Sequence, residues 1–428
     1  MCRKPAIPCP SDALVRSHFR LHHVCMFIGR SCGLPRSAAL ALALALGVAL
    51  TLGAQDSKKR EPKRPKLDAG RDTNSAGAYH QYGMLNLSKR PQTAADAFYW
   101  AARLDPSVAE PWYGRWCALL LAMQRRDMFA LMNDDSRYSK EVTKIDSLRY
   151  EALLREPLIY TKLDAVLVRD FFSALSLATD GEVGEMDLAM VPDPGMKAWL
   201  AYGSGRFGES VQQYALAIAR KPKAKGLHAA RARAFIPLLQ YDSAAAEFEA
   251  ERMLQQRGES TLVRVYNSKE MLEYSIGRVR ETQGNDQGAR DAYGRALVEN
   301  LAFYPGHIAL ARLAMATSDT ATALKEYELA VQLAPDRADI RYVYGVLLMA
   351  HKSFEEAAEQ FHGAVEADPY FVKPYLPLAY LREGQGKDSL AIAYYTQFIA
   401  LAPAGYTRQV EDARQRLNEV KRVISEKP

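Results

Sequence analysis

Residues 323–335 read ALKEYELAVQLAP, residues 357–369 read AAEQFHGAVEADP and residues 391–403 read AIAYYTQFIALAP. Each stretch opens on Ala, carries an aromatic four residues on and closes on Pro. An earlier stretch, 289–301, reads ARDAYGRALVENL and keeps the Ala and the aromatic without the Pro. The aligned positions are Ala289, Tyr293 and Ala296; Ala323, Tyr327 and Ala330; Ala357, Phe361 and Ala364; and Ala391, Tyr395 and Phe398. The first member of each set recurs every 34 residues. A spacing of i, i+4, i+7 puts all three side chains on one face of a helix. Upstream of each lies a bulky residue followed by a small one: Ile276-Gly277, Leu310-Ala311, Tyr344-Gly345 and Leu378-Ala379. In the third copy Arg341, Tyr344, Gly345 and Leu348 share such a face. Small residues let two helix axes approach, and the aromatic fills the hole beside them. Gly284, Ser318, Lys352 and Gly386 mark the turn between the two helices. Pro335, Pro369 and Pro403 stop the second helix, because proline cannot continue it. One such unit cannot bury its own apolar face, so copies must stack.

Four consecutive copies of a helix pair at this period resemble the tetratricopeptide repeat family. The resemblance implies an all-α fold: a right-handed superhelical solenoid of antiparallel helix pairs. It also implies that the first helices line a concave groove. The groove positions would be Tyr274, Arg278, Ile308, Arg312, Tyr342, Val346, Lys373, Leu376 and Tyr380. Arg278 and Arg312 lie one repeat apart, so their heads are expected to face one channel. Tyr and Arg most often carry interface energy, and together they suit a peptide or helix of acidic character. Some members clamp a C-terminal carboxylate with a Lys and Asn pair; this sequence departs from that pattern with Tyr274 and Arg278.

Outward from the regular block (270–405), the repeat is expected in three more places. Two units occupy 196–258, with Tyr202, Gly205, Phe207, Tyr214, Ala217 and Pro222, then Ala232, Phe235, Ala244 and Phe248. A first unit over 75–106 carries Tyr82-Gly83, Ala94, Phe98, Ala101 and Pro106. Its Gly83 to Ala94 gap is one residue short, so its turn must differ. This makes about seven units. Between them, 107–195 reads as an irregular helical insertion: Trp116 stands where a small residue belongs, and Asp180–Gly195 is a loop. Glu251–Lys269 is a break, either one extended helix or a lengthened connection. Residues 406–428 read as a polar amphipathic capping helix and tail.

The N-terminal part is of another kind. Ala38–Leu52 is an apolar run of 15 residues, preceded by Arg30 and Arg36 and followed by Gly53-Ala54-Gln55-Asp56. It has the order of a secretory signal and is short for a membrane span. Residues 1–54 are expected to be an export leader, with Met26 as an alternative start. Residues 55–74 are expected to be a disordered basic linker. The net charge of +6 sits in these segments: 1–54 hold six Lys/Arg against one acid, and 56–72 seven against four. The folded part is then about −2, so net charge gives no argument for nucleic acid.

No cofactor, metal or catalytic site is expected. Gly203–Gly208 fits G-x-G-x-x-G, but those glycines follow a helix where a dinucleotide site needs a strand. His80, His228, His307, His351 and His362 make no ligand pair. Cys2, Cys9, Cys25 and Cys32 fall in the leader with His18, His22 and His23 at irregular spacing, leaving Cys117 as a buried thiol. The expected function is a non-enzymatic, exported (periplasmic or secreted) scaffold binding a protein or peptide through its concave face. Alternatives are an envelope assembly factor anchored by residues 38–52, and a small enzymatic module in 107–195.

Overall fold

The structure, a computed structural model, describes residues 61–126, 136–158, 193–255 and 268–426. The leader with Ala38–Leu52, Met26 and four of the cysteines, and most of the Asp180–Gly195 loop, lie outside the described residues. So does most of the Glu251–Lys269 break. Among the described residues every regular element is helical. The order is α1 (Ala76–Asn86), α2 (Pro91–Leu104), α3 (Ala109–Arg126), α4 (Ser136–Arg155), α5 (Pro194–Gly203) and α6 (Phe207–Arg220). Then come α7 (Leu227–Phe235), α8 (Tyr241–Met253), α9 (Lys269–Thr282), α10 (Asp286–Glu299), α11 (Tyr304–Ala316) and α12 (Thr320–Leu333). The chain finishes with α13 (Ala338–Ala350), α14 (Phe354–Ala367), α15 (Tyr375–Gly384), α16 (Asp388–Leu401) and α17 (Thr407–Glu426). Each helix packs chiefly on its neighbours in sequence, as a stack of pairs requires.

Local chemistry sets the helix ends. Asn285 and Asp319 accept hydrogen bonds from the Gly288 and Thr322 amides at the starts of α10 and α12. In six pairs the first helix ends on a residue at positive φ: Gly205, Leu239, Gly284, Ser318, Lys352 and Gly386. That left-handed residue reverses the chain and lets the next helix fold back antiparallel. The first pair lacks it. Its turn is one residue shorter, and Leu87 is fully buried there instead.

The aromatic of each second helix fills the space under the small residue of the first. A methyl added to Gly83, Gly277 or Gly345 would come within 2.8, 2.3 or 2.7 Å of the Phe98, Tyr293 or Phe361 ring. Tyr293 cannot swing away freely, because its hydroxyl donates to Glu281 at 2.6 Å. Gly277→Ala is therefore expected to destabilise the protein by about 1–3 kcal/mol through overpacking. Gly294→Ala, in the next helix with nothing within 4 Å of the added methyl, is expected to stabilise it by about 0.5–1 kcal/mol. Urea midpoints of the two variants should move in opposite directions.

The segment 107–158 holds a further helix pair, α3 with α4. Trp116 is buried, its indole N–H donating to Asp146 at 3.0 Å. The close approach to Phe98 is made two residues earlier, by Gly114. The expected disordered linker also needs correction from Arg64 onward. The Arg64 guanidinium lies 4.9 Å from the Trp100 ring and 5.3 Å from the Tyr79 ring. Asn74 donates to the Ala400 carbonyl at 2.9 Å, and Asp72 accepts from the Ala404 amide at 2.7 Å. These contacts serve main-chain groups left unpaired at the end of α16.

The first and last pairs therefore touch. Arg103 donates to Asp368 at 2.7 Å, Lys373 to Asp105 at 2.9 Å, and Trp100 meets Tyr370 edge-on at 4.9 Å. At the other end α17 covers the last apolar face with Ala413, Val410 and Leu417.

Candidate functional site

The face that the repeat pattern assigns to a groove is the outward row of α9, α11, α13 and α15. At its start it is covered by the chain itself. Leu153 and Leu154, at the end of α4, sit in one apolar cluster with Met271, Tyr274, Tyr293, Phe303 and Leu313. Tyr274 is 3% exposed, and its hydroxyl donates to the Leu154 carbonyl at 3.4 Å. Burial above all pushes its phenol up to about 12. Arg278 donates to Glu156 at 2.8 Å and to Glu281 at 3.0 Å. The expectation of an open groove thus fails at Tyr274 and Arg278. The C-terminal end of α4, from far upstream, packs there, because the apolar row offers it burial and the arginine offers Glu156 a charge partner.

Farther along the face the positions differ. Arg312 grips Glu281 with two hydrogen bonds, at 2.9 and 2.6 Å, and its side chain stays 40% exposed. Arg278 and Arg312 are thus brought together on one carboxylate. Ile308 is half-buried beside Ala311 and Tyr327, and Val346 is 43% exposed. Tyr342 is half-buried between the rings of Phe361 and Phe371, at 5.9 and 5.6 Å. Lys373 is held by Asp105 across the closure. Leu376 lies against the last cluster, and Tyr380 donates its hydroxyl to Asp412 of α17. Burial first, then the Asp412 carboxylate, pushes the Tyr380 phenol up to about 12.

Spacing alone does not reveal the acids of this site: Glu151, Glu156 and Glu281. Glu281 is the hub. Burial opposes its charge, but hydrogen bonds from Arg312 and Tyr293 and the charges of Arg312 and Arg278 outweigh it and hold the carboxyl at about 2. A carboxyl depressed in the fold contributes stability above its unfolded value near 4.5, and that contribution is lost as pH falls toward about 2. Urea midpoints between these limits are expected to drop more for the native chain than for Glu281→Gln, which has no such group to titrate. Next to the hub, Arg337 donates to Tyr304 at 2.6 Å and to Asp339 at 2.6 and 2.8 Å, with Glu151 at 3.8 Å.

Two histidines of the repeats are held by acids of the helix beside them. His228 and His307 face Glu247 and Glu326, each at 2.6 Å, at equivalent places in two pairs. The glycine-rich run 203–208 is the turn between α5 and α6, with Gly205 at positive φ and no strand before it.

Helix pairs repeating every 34 residues, a left-handed residue in the turn and a small residue under each aromatic define the class: the chain has the all-α fold of tetratricopeptide repeats. No family model matches it. A curated protein of Haemophilus influenzae, described as uncharacterized, is 33% identical over 89 residues, 21% of this chain. The match spans half of that relative's length. Among solved structures, the C-terminal part of a TPR repeat-containing protein from Cytophaga hutchinsonii is 17% identical, with a TM-score of 0.43, covering 54% of this chain and 89% of that one. YrrB, a TPR protein with an unusual peptide-binding site, gives 17% and 0.34 over 45% of this chain and 93% of its own. Yeast Tom70 gives 12% and 0.36 over 81% and 89%. At these scores the superpositions add nothing to the fold, which rests on the spacing and the helix pairs.

Proposed function

We propose that the chain is a non-catalytic scaffold that holds another polypeptide on the first-helix face of its regular repeats. One observation carries this reading. Of the groove positions, Tyr274, Arg278, Arg312, Lys373 and Tyr380 make hydrogen bonds, and their partners are carboxylates or a main-chain carbonyl: Glu156, Glu281, Asp105, Asp412 or the Leu154 carbonyl. Such a row of donors beside apolar side chains suits acidic polypeptide. Ile308, Arg312 and Val346 form the part of the face still open to it. We also read Ala38–Leu52 as an export signal, which places the scaffold in the periplasm or outside the cell. If the run is retained, it anchors the protein at the membrane. N-terminal sequencing of the exported protein distinguishes the two.

The test is co-purification of cross-linked partners by the exported chain. Arg312→Glu combined with Val346→Asp is expected to lower partner recovery about tenfold, and so is salt raised to about 0.5 M. Circular dichroism should be unchanged in the variant. Recovery equal to that of the native chain would remove the support for this reading.

A further inference from the structure

The segment Tyr150–Leu158, which reads YEALLREPL, touches the first-helix face as a ligand would. The helix that carries it, α4, lies closely along α3 and reaches the repeats through side-chain ends. Tyr150, Leu153 and Leu154 enter the apolar row of α9 and α11. Glu156 meets Arg278 at 2.8 Å, and the Leu154 carbonyl, unpaired within its helix end, accepts from Tyr274. Leu158 continues onto the next cluster, with Leu272 and Ile276. Anchors at i, i+3 and i+4 are how a helix lies in a groove, and here an acid follows just past the last turn.

The fit of this resident segment is incomplete. The Arg278 Nε is buried without a hydrogen-bond partner. Native interiors rarely leave such donors unmet. A guanidinium already holding two carboxylates and still presenting an unpaired N–H can accept a better-placed acid.

We propose that Tyr150–Leu158 is an internal stand-in, and that the same surface takes in its place an amphipathic helix of a partner ending in a Leu-Leu-x-Glu turn. An extended acidic strand would satisfy Arg278 but offers Tyr274 no helix-end carbonyl and fills only part of the leucine pocket. This rests on the reading that the first-helix face binds polypeptide, and it names the chemistry of the ligand and the place where it docks.

The probe is a fluorescent peptide of residues 142–158, blocked at both ends, titrated into the full chain. Glu156→Lys in the protein weakens the resident contact and is expected to raise peptide affinity at least about tenfold over the native chain. In a Glu156→Ala background, where no charge at 156 of the chain can pair with it, Arg278→Glu should abolish binding of the native peptide, and a peptide carrying Glu156→Lys should recover it. No binding to the Glu156→Lys protein, or binding indifferent to the charge at position 278, overturns the proposal. Release that produces a dimer in place of peptide binding also overturns it, since a second copy would then be the occupant. Should the variants unfold, hydrogen exchange of the native chain decides. Excess peptide must speed exchange of the amides of 145–158, and unchanged exchange counts against exchangeability. If cross-linked partners still depend on Arg312 and Val346 while the peptide fails, the scaffold reading stands and this one falls.

Discussion

Phe361→Ala is expected to lower the unfolding free energy by about 3–5 kcal/mol, the range for emptying a large aromatic site in a packed core. Phe361 is fully buried on α14, with Gly345 beneath it and Leu348, Leu378 and Ala379 around it. The ring joins three helices from two successive pairs, so the loss falls on the intra-pair contact and on the junction with the next pair. In a stack whose units depend on their neighbours, such a change also weakens cooperativity. Urea unfolding followed by circular dichroism should show a lower midpoint and a shallower slope. Phe361→Leu, which keeps much of the volume, should cost about half as much or less. Equal midpoints for the native chain and the Ala variant would contradict the packing described for this pair.

Glu251→Ala is expected to cost about 2–4 kcal/mol. Helix α7 starts at Gly226, at positive φ, and no side chain of its own caps it. The cap comes from the neighbouring helix: Glu251, fully buried on α8, accepts from the Gly226 amide at 2.6 Å and from the Ala229 amide at 3.2 Å. Removing the carboxylate orphans one buried and one half-buried N–H group at a helix N-terminus, where the dipole also favours a negative charge. Glu251→Gln keeps one acceptor and should lose about half as much. Thermal unfolding of both variants, read against Glu249→Ala as a surface control, checks the ranking.

These two residues show what sequence could and could not reveal. Phe361 is legible because its role repeats: the same class of side chain returns at a fixed interval, and periodicity exposes it. Glu251 sits in the run EFEAERM, where acids look like an ordinary solvated surface, and its partners lie at the start of another helix. The site divides the same way. Repeat spacing brought out Arg278 and Arg312, but their carboxylates did not follow from any repeat. Glu156 lies 122 residues upstream of Arg278, and that pairing exists only once the chain has folded back on itself. The anchoring of residues 64–74 escaped for a related reason. A basic, proline-rich stretch has no apolar face of its own, and it is ordered here by rings and carbonyls that belong to other helices.

The bond from Asn74 to the Ala400 carbonyl spans 326 residues, and that from Asp72 to the Ala404 amide spans 332. On a ribosome adding about 5–20 residues per second, the opening helices wait on the order of tens of seconds before their final neighbours exist. Interior repeats can condense as they emerge, since their contacts are local. The clasp between beginning and end can form only after synthesis is almost complete. Until then the surfaces around Trp100 and Tyr370 stay uncovered, and the newborn chain is most vulnerable to aggregation at its two extremities.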